Sequence, residues 1–528
     1  MVTARRLIAQ FISRPRLIAP IIGALAACGF EPLHVWPMLL LGLGGLIALT
    51  ARAPDRRSAV LLGWLWGVGH FSLGNNWIAT AFTYQAQMPV WLGWIAVFGL
   101  SLYLAVYPAL AALAAWHFRR RPLAFGLAFS GCWILAEWLR SWVFTGFAWN
   151  PLGVALLGDF NGQGLALLAP WIGTYGLSGV AVLLASLLCL AVSPNQYGRR
   201  WSQASAALLL ALLAPMVMPA TLPKPAGHVP YTLVQPNIAQ PDIDNAAQFE
   251  SQFLKTARLT LPLVPGQQRL VLWPESGVPD YLRGGYPPAF YAETTYAADP
   301  DQARARIARV MGPGGLLLTG SVNLNLQQGR VVSAGNVVTV LDDKGAIRGS
   351  YAKAHLVPYG EYLPLRAVLQ PLGLSRLVAG SIDFSPGPGP RTLDLGPWGK
   401  AGIQICYELI FSGQVVDRTR RPDYIFNPSN DGWFGSWGPP QHLAQARLRA
   451  LEEGLPVLRS TTSGISAVID ADGIVRQSLP RFTPGRMDGV VPPPHEPTLF
   501  ARYGNLLALV LSGILLSIAI LVLRRAEG

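Results

Sequence analysis

Ala401-Gly402-Ile403-Gln404-Ile405-Cys406-Tyr407-Glu408 is an apolar run that closes on a thiol followed by an acid. The run predicts a buried strand, and a cysteine at the exit of a core strand presents its sulfur at the rim of a sheet. A buried structural cysteine would look the same in isolation, so the neighbours decide. The other three cysteines, Cys28, Cys132 and Cys189, fall in uncharged apolar segments, where a thiol serves as a small hydrophobe. Cys406 therefore has no disulfide partner in its own region, and no Cys-x-x-Cys or Cys/His spacing points to a metal. No cofactor is expected.

Around this run the chain alternates β-rich and helical patterns. Strands are expected at 231–235, 270–273, 316–320, 336–341, 402–406, 424–427, 457–460 and 466–470, with helices at 245–261, 302–311 and 441–453. That alternation predicts a layered α/β domain. A Pro-rich stretch at 492–497 reads as a linker.

Outside this region the chain is too apolar for a soluble protein. Of its 528 residues 51% are hydrophobic and only 13% charged, so membrane spans are expected. About 20 apolar residues cross a bilayer as a helix, and eight such runs are found near 17–31, 35–51, 58–83, 89–116, 122–143, 162–193, 203–220 and 503–523. Basic residues flank alternate ends: Arg5, Arg6, Arg14 and Arg16, then Arg52, Arg56 and Arg57, then Arg119 to Arg121, then Arg199 and Arg200, then Arg524 and Arg525. The connections between those ends carry no Lys or Arg. The positive-inside rule then puts both termini in the cytoplasm and the α/β segment outside. Three parts follow: a transmembrane bundle of about seven spans over 1–222, an outer α/β domain over 223–497 and a closing transmembrane helix over 498–528. The net charge of +13 collects at the ends of apolar runs, not in one stripe, which argues against a nucleic-acid partner. Leu25-Ala26-Ala27-Cys28 also fits a lipoprotein signal, but small residues in a membrane helix more often serve close packing.

Two further residues join Cys406 as candidates. Glu275 follows Leu270-Val271-Leu272-Trp273-Pro274, just past a predicted strand end, where α/β sheets gather their active sites. Lys353 follows the strand-like Gly349-Ser350-Tyr351. Alone, the Glu reads as a helix cap or surface acid and the Lys as a solvated cation. Together with a thiol they suit acyl transfer. A thiol whose reference pKa is about 8.5 needs a base to attack at neutral pH, and the tetrahedral intermediate needs its oxyanion stabilised.

Trp273-Pro274-Glu275-Ser276, Lys353-Ala354-His355-Leu356-Val357-Pro358-Tyr359-Gly360-Glu361 and Ile405-Cys406-Tyr407-Glu408 resemble, in order, the three catalytic motifs of the nitrilase superfamily, which implies an αββα sandwich. Along nearly its whole length the chain resembles the apolipoprotein N-acyltransferase family, including Glu137-Trp138-Leu139-Arg140-Ser141-Trp142-Val143-Phe144-Thr145-Gly146-Phe147 and Ser429-Asn430-Asp431-Gly432-Trp433-Phe434-Gly435. The resemblance implies Glu275 as general base, Lys353 as stabiliser of the tetrahedral intermediate and Cys406 as acylated nucleophile. It implies supporting roles for Glu361, Tyr407 and Glu408, with the Tyr407 N–H as second oxyanion donor, and lipid contact at Trp433 and Phe434. One departure is visible: the family often carries a tryptophan shortly after its Val-Gln motif, and Gln240 to Phe249 contains none.

The implied reaction takes an acyl chain from a membrane phospholipid onto Cys406 as a thioester. It then delivers the chain to the α-amino group of a diacylglyceryl-cysteine apolipoprotein. The implied setting is a bacterial inner membrane with the catalytic domain on the periplasmic side, and a monomer is expected. Two rivals are a membrane-anchored nitrilase-type amidohydrolase and a non-catalytic transporter or receptor with an outer binding domain. The second leaves the ordered Glu/Lys/Cys motifs unexplained. Asn75, Asn76, Glu137 and Arg140 are costly in lipid, and Glu137 with Arg140 is expected to form a structural ion pair.

Overall fold

Prolines and small residues shape the N-terminal half of the chain. Pro15, Pro37, Pro122 and Pro170 each sit in the first turn of a helix, where the missing N–H costs nothing. In the computed structural model, which describes residues 14–84, 89–218, 226–369, 371 and 382–525, eight main helices form this half. They are α1 (Pro15–Ala27), α2 (Trp36–Arg52), α3 (Arg56–Gly74), α4 (Trp91–Leu104), α5 (Val106–Trp116), α6 (Pro122–Arg140), α7 (Ala169–Ala191) and α8 (Arg199–Leu213). Asp55 caps α3, its carboxylate accepting from the Ser58 N–H at 2.8 Å.

Helices α1 and α3 touch backbone to backbone through two glycines. A Cβ on Gly69 would lie 1.9 Å from the Pro20 carbonyl oxygen, and one on Gly23 would lie 2.0 Å from that of Trp66. No side chain can relieve a clash with main chain, so this contact depends on glycine on both helices. Gly69→Val is expected to push the helices apart, with an overpacking cost of about 1–3 kcal/mol or more. A lowered Tm in detergent checks it, and an unchanged Tm would show the contact to be unimportant.

Each of the eight expected spans contains a helix, but among the described residues only four helical segments are long and apolar enough to cross a membrane: Trp91–Trp116, Pro122–Arg140, Gly164–Ala191 and Leu506–Arg524. Pro15–Ala27 and Trp36–Arg52 are shorter apolar helices. The third and seventh expected spans fall short because Arg56, Arg57 and His70 dilute α3, while Arg199, Arg200 and Gln203 dilute α8. Arg5, Arg6, the end of the seventh span and the 222/223 boundary lie outside the described residues.

The other half of the chain forms two six-stranded sheets. The strands are β1 (Pro230–Gln235), β2 (Leu270–Leu272), β3 (Leu316–Gln327), β4 (Arg330–Asp342), β5 (Ile347–Ala352), β6 (Thr392–Asp394), β7 (Lys400–Ile403), β8 (Tyr424–Ser429), β9 (Val457–Thr461), β10 (Ser466–Ile469), β11 (Val475–Leu479) and β12 (Gly485–Val490). One sheet runs β12-β1-β2-β3-β4-β5 and the other β11-β10-β9-β8-β7-β6. In each, three adjacent strands are parallel: β1, β2 and β3 in the first, and β7, β8 and β9 in the second.

The period-2 alternation of strands decides the layers. Leu270, Leu272, Leu318 and Val338 of the first sheet meet Ile403, Phe426, Leu458 and Val468 of the second in one core. Val271, Leu317 and Leu341 face the other way, against α9 (Phe249–Thr260) and α10 (Pro300–Met311). Ile425, Val457 and Ala467 likewise pack on α11 (Gly438–Glu453). The result is the expected αββα sandwich. Four strands more than expected are present. The short β5, β6, β11 and β12 carry mixed or exposed residues, and pairing with a neighbour, not hydrophobicity, makes them strands.

Helix α11 is the layer both halves share. Every residue in it except Pro440 is buried, because one face covers the second sheet while Ala444, Leu448 and Leu451 join the core of the helical half. Arg447 and Glu452 of this helix bond across that junction. Arg447 donates to the carbonyls of Gly158, Gly162 and Gly473 at 2.8, 2.7 and 2.9 Å. Glu452 accepts from the Thr174 N–H and hydroxyl, both at 2.6 Å, and from Ser412 at 2.8 Å. The last helix, α12 (Leu506–Arg524), returns to pack on α6 and α7.

Candidate active site

The ends of three strands carry the site. Glu275 stands three residues beyond β2, Lys353 directly follows β5, and Cys406 lies three residues beyond β7, so two sheets deliver three chemically different groups to one end of the sandwich. The expectation that a strand runs into Cys406 is corrected. The strand stops at Ile403, and Cys406 opens a 3₁₀ turn, Cys406–Ile410, with a left-handed φ of 50°. A non-glycine residue there is strained by about 1–3 kcal/mol, and such strain persists only where surrounding bonds over-determine it.

Those bonds come largely from Glu408. Its carboxylate accepts from the Ile405 N–H (2.7 Å), the Ala354 N–H (2.6 Å), the His355 N–H (3.1 Å) and the Tyr351 hydroxyl (2.8 Å). It thereby ties the turn bearing Cys406 to the segment bearing Lys353. Burial pushes the Glu408 carboxyl up to about 7, against the pull of these donors.

Glu275, Lys353 and Cys406 are 7%, 2% and 4% exposed. Lys353 Nζ donates to Glu361 at 3.0 Å and to Glu275 at 3.4 Å. Burial disfavours its charge, but the two carboxylates outweigh that and hold the ammonium well above its usual range. Asn336, on β4, donates to Glu275 at 2.8 Å and to Glu361 at 2.9 Å. The Asn430 N–H donates to the other Glu275 oxygen at 2.8 Å, and the Val357 N–H to Glu361 at 2.8 Å. A buried cation is thus matched by two carboxylates whose remaining lone pairs are bonded, the condition under which buried charge is tolerated.

The Cys406 thiol is pushed well up, first by burial and then by the negative charge of Glu275, while Lys353 pulls it down. At neutral pH the sulfur therefore holds its proton until a base takes it. Among the described residues, no group of three or more His, Cys, Asp or Glu side chains is arranged to hold a metal.

Phe434, expected at a lipid contact, is 6% exposed and packs on Trp77, Trp149 and His442 with ring centroids 4.9, 5.5 and 5.7 Å away. Trp433 is half-buried, edge-on to Tyr84 at 5.7 Å. Tyr407 reaches toward the helical half, its hydroxyl 3.5 Å from the Gly146 carbonyl. The expected Glu137–Arg140 ion pair is replaced by bonds to the loop that follows. Glu137 accepts from the Leu152 N–H at 2.9 Å, and Arg140 donates to the carbonyls of Phe147 and Trp149 at 3.0 and 2.9 Å.

Sequence reasoning missed Asn336 and Asn430, both bonded to Glu275, and a buried group behind Cys406. There Arg459 Nη2 reaches both oxygens of Asp431 at 2.7 Å, and His442 Nε2 lies 3.1 Å from the Cys406 carbonyl oxygen. Asp431 and Asn430 sat in a segment already singled out. His442 and Arg459 had no local pattern to mark them.

A family model for the apolipoprotein N-acyltransferase N-terminal domain matches residues 22–187, and one for carbon-nitrogen hydrolases matches residues 232–491. The chain is 34% identical over 530 residues to an apolipoprotein N-acyltransferase of Rhodopseudomonas palustris, covering 96% of this chain and 94% of that one. It is 34% identical over 527 residues to one of Bradyrhizobium diazoefficiens (96% and 94%) and 33% identical over 519 residues to one of Caulobacter vibrioides (94% and 92%).

Proposed function

The chain belongs to the apolipoprotein N-acyltransferase family and is an acyltransferase, and from that premise we propose that it moves an acyl chain from a membrane phospholipid, through a thioester on Cys406, to the α-amino group of a diacylglyceryl-cysteine lipoprotein. The observation that carries this reading is the convergence of Glu275, Lys353 and Cys406 at one end of two sheets, with Lys353 bonded to Glu275.

In the first half-reaction Glu275 takes the thiol proton as the sulfur attacks the ester carbonyl carbon. Lys353 and the Tyr407 N–H stabilise the oxyanion. The carbon–oxygen bond to glycerol then breaks, and the proton passes from Glu275 to the departing alkoxide, leaving a lysophospholipid and the thioester. In the second, the amine attacks the thioester, Glu275 accepts the ammonium proton, the carbon–sulfur bond breaks and the thiol is restored. Glu361, sharing Asn336 and Lys353 with Glu275, holds both in place. Trp433 borders the path of the acyl chain, and Phe434 supports that loop from beneath.

The proposed setting is a multi-pass bacterial inner-membrane protein with about seven spans over 1–222, a periplasmic catalytic domain over 223–497 and a final span over 498–528, both termini cytoplasmic. Fusion to the membrane suits the substrates, because lifting an acyl chain out of a bilayer costs about 0.8 kcal/mol per CH₂. Mass analysis of the purified protein after incubation with phospholipid is expected to find an acyl adduct on the peptide containing Cys406, removable by an N-terminal diacylglyceryl-cysteine peptide. Release as free fatty acid alone would favour an amidohydrolase-type reaction with water as acceptor. No adduct at all would leave a binding protein.

A further inference from the structure

The residues behind Cys406 form a chain of fully buried polar groups. His442, on α11, faces the Cys406 carbonyl through Nε2 at 3.1 Å, and its Nδ1 lies 3.1 Å from Arg459 Nη2 and 3.2 Å from Asp431 Oδ1. Arg459 is itself anchored by the Ser429 hydroxyl (2.9 Å), Asn427 and the Ile465 carbonyl (3.2 Å). None of Asp431, His442 or Arg459 exposes its side chain.

A carbonyl oxygen only accepts, so His442 Nε2 carries a proton and donates it to Cys406. Burial, reinforced by the charge of Arg459, keeps the ring pKa low, so the ring is neutral and Nδ1 accepts from Arg459. Burial would raise the Asp431 carboxyl, but the charge of Arg459 outweighs it and holds that carboxyl at about 2. The imidazole packs against Trp149 and Phe434, with ring centroids 5.4 and 5.7 Å away.

The Cys406 carbonyl and the Tyr407 N–H belong to one planar trans peptide and point in opposite directions. A donor that seizes the oxygen therefore sets where the N–H aims, and it also polarises the unit so that the N–H donates more strongly. Tyr407 lies in the first turn of the 3₁₀ segment, where N–H groups have no partner within the turn. We propose that His442, oriented by Arg459, which Asp431 in turn holds, is a positioning residue that aims the Tyr407 N–H at the reaction's oxyanion by gripping the other end of the same peptide. The inference rests on the reading of Cys406 as the acylated nucleophile.

The test separates reactions that form an oxyanion from one that does not. Acyl transfer from a synthetic diacyl phospholipid in detergent needs the Tyr407 N–H, whereas alkylation of Cys406 by iodoacetamide passes through no tetrahedral oxyanion. Losing an oxyanion donor slows a reaction about 10²–10³-fold, so misaiming one in His442→Asn is expected to slow thioester formation about 30–100-fold, with alkylation within about twofold of wild type. His442→Gln, whose amide nitrogen falls near the position of imidazole Nε2, is expected to recover most of the rate.

Normal thioester formation in His442→Asn overturns the proposal. So does an equal fall of transfer and alkylation in both variants, which is what a merely structural role, or failure to fold, would give. Cys406→Ala measured in parallel guards the premise. If it still transfers acyl chains, the nucleophile assignment fails. If it is inactive while His442→Asn is normal, only the positioning role falls.

Discussion

Cys406→Ala and Cys406→Ser are each expected to lower acyl transfer at least about 10³-fold while leaving the protein folded. In the proposed mechanism loss of the nucleophile removes the covalent route altogether, and what residual rate remains comes from substrate binding and oxyanion stabilisation. A serine hydroxyl fits the space but is a far weaker nucleophile against an acid–base system tuned to a thiol. Neither change adds volume to the buried site, and both inherit the left-handed φ of 50°, so the backbone strain is the same before and after. Lys353 keeps both carboxylates, and Glu408 keeps its four donors. Tm in detergent is the control. Near-wild-type transfer by either variant would remove the thioester from the mechanism.

Glu275→Gln is expected to slow both half-reactions by about 10²–10⁴-fold, the usual span for a general base. On size alone the substitution looks gentle. The surroundings of Glu275 make it harsher, because all three partners of the carboxylate are donors: Asn336 and Lys353 on one oxygen and the Asn430 N–H on the other. A glutamine must turn its own NH₂ toward one of them, so a bond is lost and two donors confront each other in a buried place. Lys353 also loses one of the two charges that neutralise it. Thioester accumulation followed by mass analysis, and its discharge by a lipopeptide amine, report the two steps separately. Formation of the thioester at the wild-type rate would show that another group takes the thiol proton.

Much of the site was legible in the sequence because strand ends announce themselves. Glu275, Lys353 and Cys406 each follow a short apolar or β-like run, and the order of three such motifs is more specific than any one. The details at Cys406 were not legible. The run continues unbroken through Gln404 and Ile405, and nothing local says that the strand stops at Ile403. That end is set by Glu408, which reaches back to the Ile405 N–H while also holding Ala354 and His355, so the turn depends on a segment 54 residues away. The expected Glu137–Arg140 pair failed for a related reason. Helical spacing brings two side chains to one face, but the loop that folds back at 147–152 offers each a better partner.

The apolar runs, the alternation of strands and helices, and the three motifs are properties of neighbouring residues, and from them the sequence alone determined the two-sheet α/β fold and singled out Glu275, Lys353 and Cys406 as the candidate reacting groups. Only the tertiary structure decided what surrounds them. Asn430 meets Glu275 across 155 positions and Gln441 meets Trp149 across 292, and such contacts leave no periodic trace. The same holds for α11, whose buried Gln441, His442, Arg447 and Glu452 read as the polar face of a surface helix until a second layer covers it. A buried polar residue is recognisable only by its partners, and those partners come together only when the sheets and the helical half have closed around them.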